Sequence, residues 1–291
     1  MIYYYIPDFF WHYNVNLNLL KLMRKEPQTF YDDFKIGAIF GNFPNCIWNG
    51  GRALFGRHVD VAEMREISET FNDFGIPLRL TMTNLIINET DVHDRYANYI
   101  MQNLNNGFNQ VLIANKTLEE YVRKTYPEYP IIRSILSTEN IYYDDSDKYF
   151  MSVLRRHKNA DIEFLKSIKN KDKIEMLANE TCLDDCPKTF SHYLNLSKKQ
   201  CYLDNNNKEP LFIDCDYNIN FMRKQFYTSK LCLTRDKIKE IYEPMGFKHF
   251  KISGRGSHGS IVLDYAHYMV KPEYKEDFIA AMMDPIVADN R

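Results

Sequence analysis

No apolar run in this chain comes near the roughly 20 residues that span a bilayer, so a membrane partner is not expected. The opening "MIYYYIPDFFWHY" has neither a basic n-region nor a small-residue cleavage site, so no signal peptide is read there and a cytoplasmic location is expected. Charge of one sign is missing as well. The net charge of −2 gives no global basic field to draw the chain onto nucleic acid or an anionic membrane. Three familiar chemical signatures are absent: the phosphate loop G-x-x-x-x-G-K-[ST], the nucleophile elbow G-x-S-x-G and the zinc helix H-E-x-x-H. The glycines of "SGRGSHG" (253–259) do not make G-x-G-x-x-G and read as a strand-end loop. Internal repeats and Gly/Ser linkers are also lacking, and "DNNNKEP" (204–210) is the clearest loop insertion.

What is present is a 291-residue chain, 45% hydrophobic and 26% charged, with the composition of a globular protein. Short β-branched and aliphatic runs alternate with longer amphipathic ones. The runs at 35–41, 78–84, 110–115, 131–136, 149–155, 173–179, 230–234 ("KLCLT") and 249–255 read as strands. Their near-continuous apolar character suits parallel strands covered on both faces. Helices are expected at 116–126, 160–168 and 234–247. Another follows Asp60, which can cap it with Glu63, and Gly75 and Pro77 end it. Eight strands with interleaved helices predict an α/β fold, a (β/α)8 TIM-type barrel with room for distortion, against a doubly wound open sheet as the rival. The expected organisation is a single barrel domain over 1–291, its core at about 35–260 and both termini packed on it as extensions. Barrel enzymes work at the C-terminal ends of their strands. Those ends here are rich in asparagine, arginine and cysteine.

The chain has six cysteines, and five of them (Cys182, Cys186, Cys201, Cys215 and Cys232) fall within one stretch. A chain this long needs no disulfide staples, and clustering in a reducing compartment points to metal or redox chemistry. Cys182 and Cys186 stand as C-x3-C in "NETCLDDCPKTFSHY", directly after a strand-like run. Thr189 sits where a radical-SAM motif would carry its third cysteine, and no C-x2-C pair of the zinc-ribbon kind occurs. Thiolates gathered from separate strand ends would suit an iron–sulfur cluster, and zinc equally.

Two segments resemble the U32 peptidase-like family. "SKLCLTRDKIKEIYEPMGFKHFKISGR" (229–255) is similar to its C-terminal barrel segment through Ser229, Cys232, Lys251, Ile252, Gly254 and Arg255. "NETCLDDCP" with the following His192 and Tyr193 looks like its cysteine-bearing loop after the sixth strand. The cysteine spacing is C-x3-C here and wider in the better-known members. The resemblance implies a TIM-type barrel holding a [4Fe–4S] cluster on four cysteines. It also implies oxygen-independent hydroxylation, or a related modification, of a small molecule or a nucleobase, with an electron donor or a partner subunit alongside. Carried over by motif, the ligands are Cys182, Cys186 and Cys232. The fourth is Cys215, at the end of the apolar "LFIDCDY", or alternatively Cys201. The family's older name implies a hydrolase or peptidase instead, and a non-catalytic zinc-binding barrel is the third reading.

Other candidates come from the residues themselves. Glu180 is a candidate general acid or base, or a hydrogen-bond partner that fixes its loop. His192 is a candidate substrate contact, or a residue that caps or packs a helix. Arg52, Arg155 and Arg255, with Asn84, are expected to bind an anionic substrate, since a guanidinium grips carboxylate or phosphate at two points. The remaining arginines would pair with Asp184, Asp185 or Asp264. Cys46, beside Phe43 and Trp48 at the end of the first expected strand, reads as a buried thiol, or as a ligand in place of the fourth cysteine.

Overall fold

A computed structural model describes residues 1–52, 54–137, 148–180, 182, 186–201, 229–254 and 258–283. Eight parallel strands close into a barrel in sequence order. They are β1 (Ile2–Pro7), β2 (Phe34–Gly41), β3 (Leu78–Met82), β4 (Gln110–Ile113), β5 (Ile131–Arg133), β6 (Met151–Val153), β7 (Ile174–Leu177) and β8 (His249–Lys251). β8 returns to pair with β1, Tyr5 standing opposite Lys251. The expected (β/α)8 TIM-type barrel is therefore what the chain forms.

Two strand assignments need correction, and they offset one another. The expected core began at residue 35, yet "IYYYIP" is the first strand and bonds to both β2 and β8. The expected strand at 230–234 is not one. Leu231, Cys232 and Leu233 are buried, but β7 already has β6 on one edge and β8 on the other. The segment makes a single backbone bond to β7's end, Leu233 N–H to Ala178 O (2.7 Å).

The helices are α1 (Tyr13–Lys25), α2 (Val61–Asn72), α3 (Arg95–Leu104), α4 (Lys116–Thr125), α5 (Ile162–Ser167), α6 (Thr189–Cys201), α7 (Arg235–Lys237, continued by a wider turn over 238–242), α8 (His258–Met269) and α9 (Lys275–Met282). Asp60 caps α2 as the sequence indicates, accepting from Glu63 N–H (2.9 Å), and α2 buries Met64, Ile67 and Phe71. Gly75 follows with φ +76°, a left-handed turn that glycine adopts without strain. Asn115 caps α4 through Leu118 N–H (2.9 Å). Among the described residues no helix is long and apolar enough to cross a membrane.

Strand alternation divides two interiors. On β1, Ile2, Tyr4 and Ile6 join the large core between strands and helices. Tyr5 instead faces the barrel axis with Ala38, Leu112, Ile132, Met151 and Val153. The axis is not wholly apolar. Arg79 and Glu175 form an ion pair there, both fully buried. Tyr5 Oη lies 2.8 Å from His249 Nδ1, and the Lys251 ammonium lies 3.9 Å from the centre of the Phe40 ring.

Candidate active site at the barrel mouth

At the C-terminal end of β7, Asn179 ties three elements together. Its Oδ1 accepts from Ser253 N–H (2.6 Å), and its Nδ2 donates to Ser253 O (3.1 Å) and to Asp264 Oδ2 on α8 (2.9 Å). The ends of β7 and β8 are thereby fixed to each other and to α8. Burial pushes the Asp264 carboxyl up to about 7, although the Asn179 amide acts in the other direction. Among the described residues Asp264 pairs with the Asn179 amide.

Glu180 comes next and is buried. Its Oε1 accepts from Cys182 N–H (2.9 Å), and its Oε2 is 3.7 Å from Arg156 Nη1. Arg156 also donates from Nη2 to Thr189 Oγ1 at the start of α6 (2.7 Å). Its guanidinium is attracted by Glu180 and by the Cys182 sulfur. Cys182 and Cys186 are half-buried, whereas Cys232 is fully buried. Burial raises the Cys232 thiol to about 11, and Glu180 and Asp264 add to the rise. Cys182 follows Glu180 at the end of β7, and Cys232 lies in the segment that Leu233 N–H ties to Ala178 O (2.7 Å), its buried sulfur beside Tyr268.

α6 then crosses the mouth. It starts at the β6–β7 side and ends against the loops after β2 and β3. There Ser197 Oγ accepts from Leu85 N–H (3.1 Å), and the Gln200 amide exchanges two bonds with the Leu54 backbone (2.7 and 3.2 Å). Its 13 residues span about 20 Å at 1.5 Å per residue. Cys201, the alternative ligand, is carried to that far end, where Asn84 Nδ2 donates to its sulfur (3.2 Å). The length of α6 separates Cys201 from Cys186, so the geometry does not bring it to the β7 corner.

Asn84, expected to meet substrate, is fully buried and engaged by the chain itself. Its Nδ2 reaches Ile47 O (2.7 Å) and Ser197 O (3.2 Å), and its Oδ1 accepts from Ile86 N–H (3.0 Å). It is a strut between the β2 loop, the β3 loop and α6. Arg155 is half-buried and donates to Ser137 O (3.2 Å). His192 lies within α6, half-buried, its ring tilted against that of Tyr193 at 5.5 Å. Arg255 and Cys215 lie outside the described residues. Cys46 is buried beside the Met82 sulfur (3.9 Å), and burial pushes its thiol to about 12.

Sequence reasoning missed a second corner, at the ends of β1 and β8. Asp8 closes β1 with φ +66°, a conformation unusual for a residue with a side chain. Its buried carboxylate accepts from Phe10 N–H (3.2 Å) and Trp11 N–H (3.0 Å) and lies 3.6 Å from Arg52 Nη1. Arg52 reaches this corner from the β2 loop and lies over Gly254. A Cβ on Gly254 would stand 2.1 Å from the Pro7 Cβ and 3.1 Å from Arg52 Nη2, so only glycine lets the two strand ends and the guanidinium meet. His12, at the start of α1, and His258, opening α8, approach with Nδ1 atoms 2.8 Å apart. These two histidines are 246 positions apart in sequence, and no local motif connects them.

No family model matches the chain. No curated protein matches it either. It is similar to a solved structure described as "The Structure of the U32 Peptidase Mk0906", at 12% identity and a TM-score of 0.48, covering 88% of this chain and 94% of that one. The likeness is one of fold, and no residue role carries over from it.

The cysteine corner can be weighed as a metal site by its donors. In kind, thiols suit iron or zinc. In place, Cys182 and the segment that carries Cys232 both lie at the end of β7. Among the described residues, however, no group of three or more histidine, cysteine, aspartate or glutamate side chains stands together as a metal-holding set.

Proposed function

We propose that this chain is an enzyme of the U32-like barrel type that works at the C-terminal mouth of its barrel. In this reading it modifies a small anionic molecule or a nucleobase by oxygen-independent hydroxylation or a related reaction. Cys182, Cys186 and Cys232 would hold an iron–sulfur cluster, with Cys215 as the fourth ligand by sequence resemblance. When bound, such a cluster supplies electron transfer.

What supports the reading is the end of β7, where Cys182 N–H binds Glu180 and where Leu233 N–H, next to Cys232, bonds to Ala178 O. Each neighbouring residue has a task that follows from its contacts. Arg156 offsets negative charge on the Cys182 side. Glu180 holds the Cys182 backbone and is a carboxyl that can take or release a proton at the same corner. Asn179 keeps β7, β8 and α8 in fixed relation. Arg52, 36% exposed at the β1–β8 corner, has the fork that binds an oxyanion. Lys251 faces the axis one step above His249 and lies on the same side of the mouth.

Metal analysis of anaerobically purified protein tests this directly. The proposal expects a brown protein with about four irons per chain, the content of one [4Fe–4S] cluster. A colourless protein that keeps one zinc through purification would defeat it and leave the zinc-binding barrel.

A further inference from the structure

α6 departs from the place a barrel of this kind gives its helices. A helix that follows a strand ordinarily packs outside the ring, against the wall. Here the helix starts beside the ends of β6 and β7, where Thr189 Oγ1 accepts from Arg156 Nη2 (2.7 Å) and donates to Cys186 O (2.9 Å). It ends on the loops after β2 and β3. β3 and β7 face each other across the ring of eight, so α6 lies over the whole width of the mouth. We propose that α6 is a lid: it swings about its cysteine-bearing start, lets go of the β2 and β3 loops, and opens the mouth to a small-molecule substrate. This rests on the reading of the mouth as the place where substrate is held, and adds the way in.

α6 is attached unlike its neighbours. The wall helices are held by apolar side chains in the large core, α2 by Met64, Ile67 and Phe71, and α3 by Ile100, Met101 and Leu104. In α6 the buried residues are Leu196, Ser197 and Gln200. Leu196 is the one aliphatic side chain among them, and among the described residues it does not belong to that core. Cys201 packs against the core, but only in part. A segment with few buried apolar contacts opens at a fraction of the cost of unfolding the whole protein.

What holds the far end is polar. Leu85 N–H donates to Ser197 Oγ (3.1 Å), Leu54 N–H donates to Gln200 Oε1 (2.7 Å), and Gln200 Nε2 returns a bond to Leu54 O (3.2 Å). The Asn84 amide adds contacts to Ser197 O and to the Cys201 sulfur, each at 3.2 Å. Such groups find water once released, so the net hold of each bond is small. The loops have ties of their own. Asn84 N–H bonds to Trp48 O (2.9 Å), and the Asn45 side chain pairs with both backbone atoms of Gly56, closing the β2 loop on itself. The latch can therefore part between helix and loops and leave both folded. At the other end the chain itself joins α6 to β7, so that end stays in place.

Hydrogen exchange at single amides of the full chain, followed by NMR in rising urea below the unfolding transition, tests this. Leu54 and Leu85 donate their N–H groups to α6 and report the latch. Asn84 N–H reports the loops, and the interior amides of α2 and α3 report global unfolding. The expected result is that Leu54 and Leu85 exchange through an opening that urea does not promote, with protection roughly a hundredfold or more below that of Asn84 and the wall helices. Gln200→Ala should lower the protection of Leu85 roughly tenfold, although Leu85 bonds to Ser197, because one swing breaks both contacts. Latch amides that share the urea dependence of α2 and α3 would make α6 part of the cooperative fold and overturn the lid. An Asn84 amide that exchanges together with them would overturn it too, since the loops and not the helix would then be moving. A Leu85 amide indifferent to Gln200→Ala has the same consequence, as the two contacts would then fray independently. Iron content is measured on the same sample. Iron-free protein whose latch opens in this way loses the cluster and keeps the lid, and iron-loaded protein whose latch opens only on unfolding does the reverse.

Discussion

Arg79 on β3 and Glu175 on β7 meet across the axis of the barrel, from strands four places apart in a ring of eight. Both side chains are fully buried, and Arg79 Nε also donates to Gln110 Oε1 on β4 (2.9 Å). The guanidinium lies 4.1 Å from the centre of the Tyr5 ring. Barrels of this class ordinarily fill their axis with branched aliphatic layers. Here one layer is ionic, and it joins opposite walls. A charge buried without its partner is far more costly than one left paired, so each member of this layer holds the other in place.

Replacing one member alone should therefore be severe. Arg79→Met is expected to cost about 3–5 kcal/mol, because Glu175 is left buried without its cation. The double variant Arg79→Met with Glu175→Leu should recover most of that loss. Urea unfolding of the two variants checks it, and equal losses in both would mean that packing volume and not charge dominates the layer.

Asp264 provides a pH test with a defined sign. Its folded-state carboxyl is raised from 3.8 to about 7 by burial, so folding favours the protonated form. The resulting stability is fully present below about pH 4 and is lost as pH rises through 7. Asp264→Asn keeps an acceptor for Asn179 and cannot ionise. The variant should match the parent near pH 4 and exceed it by about 1–3 kcal/mol at pH 8.5, a part of what a shift of this size implies. Thermal melts across that range would show the gap opening with pH, and a gap that opens toward acid would refute the assignment.

The same residues explain how far the sequence could be read. The barrel was legible because strands covered on both faces are nearly continuous apolar runs, as in "QVLI" and "IIR". "IYYYIP" has that character too, although three tyrosines give it polar tips that a buried strand seldom carries. "KLCLT" has it without being a strand, because burial alone does not supply a free edge to pair with. The charged interior was illegible for another reason. Arg79 in "LRLTM" and Glu175 in "KIEML" occupy the alternate positions that a half-exposed strand gives to water. Only closure of the barrel turns those positions inward. The cysteine corner could be found because Cys182 and Cys186 are close in sequence. The His12–His258 contact could not, since the fold alone unites its members.

Asn84 separates a structural role from a ligand-binding one. It is fully buried and joins the β2 loop, the β3 loop and α6. Asn84→Ala leaves buried carbonyls unpaired, so a loss of about 2–4 kcal/mol is expected, more than one hydrogen bond's worth. Limited proteolysis should also open α6, whose far end Asn84 secures. A variant as stable and as protease-resistant as the parent would return Asn84 to the list of substrate-facing residues.

The cysteines give the sharpest contrast. Cys182 and the segment carrying Cys232 lie at the end of β7, Cys201 lies at the opposite end of α6, and Cys46 is enclosed beside Met82. If iron is held at the β7 corner, Cys182→Ala and Cys232→Ala should each remove most of the iron from anaerobically prepared protein. Cys201→Ala and Cys46→Ala should keep it, because neither sulfur can reach that corner without moving the elements that bury it. Stability offers a control. Losing the buried Cys46 or Cys232 side chain should cost about 1–2 kcal/mol through the cavity left behind, whether or not iron is bound. Iron lost equally from all four variants would therefore point to general unfolding, whereas iron lost from Cys201→Ala alone would move the metal to the other end of α6.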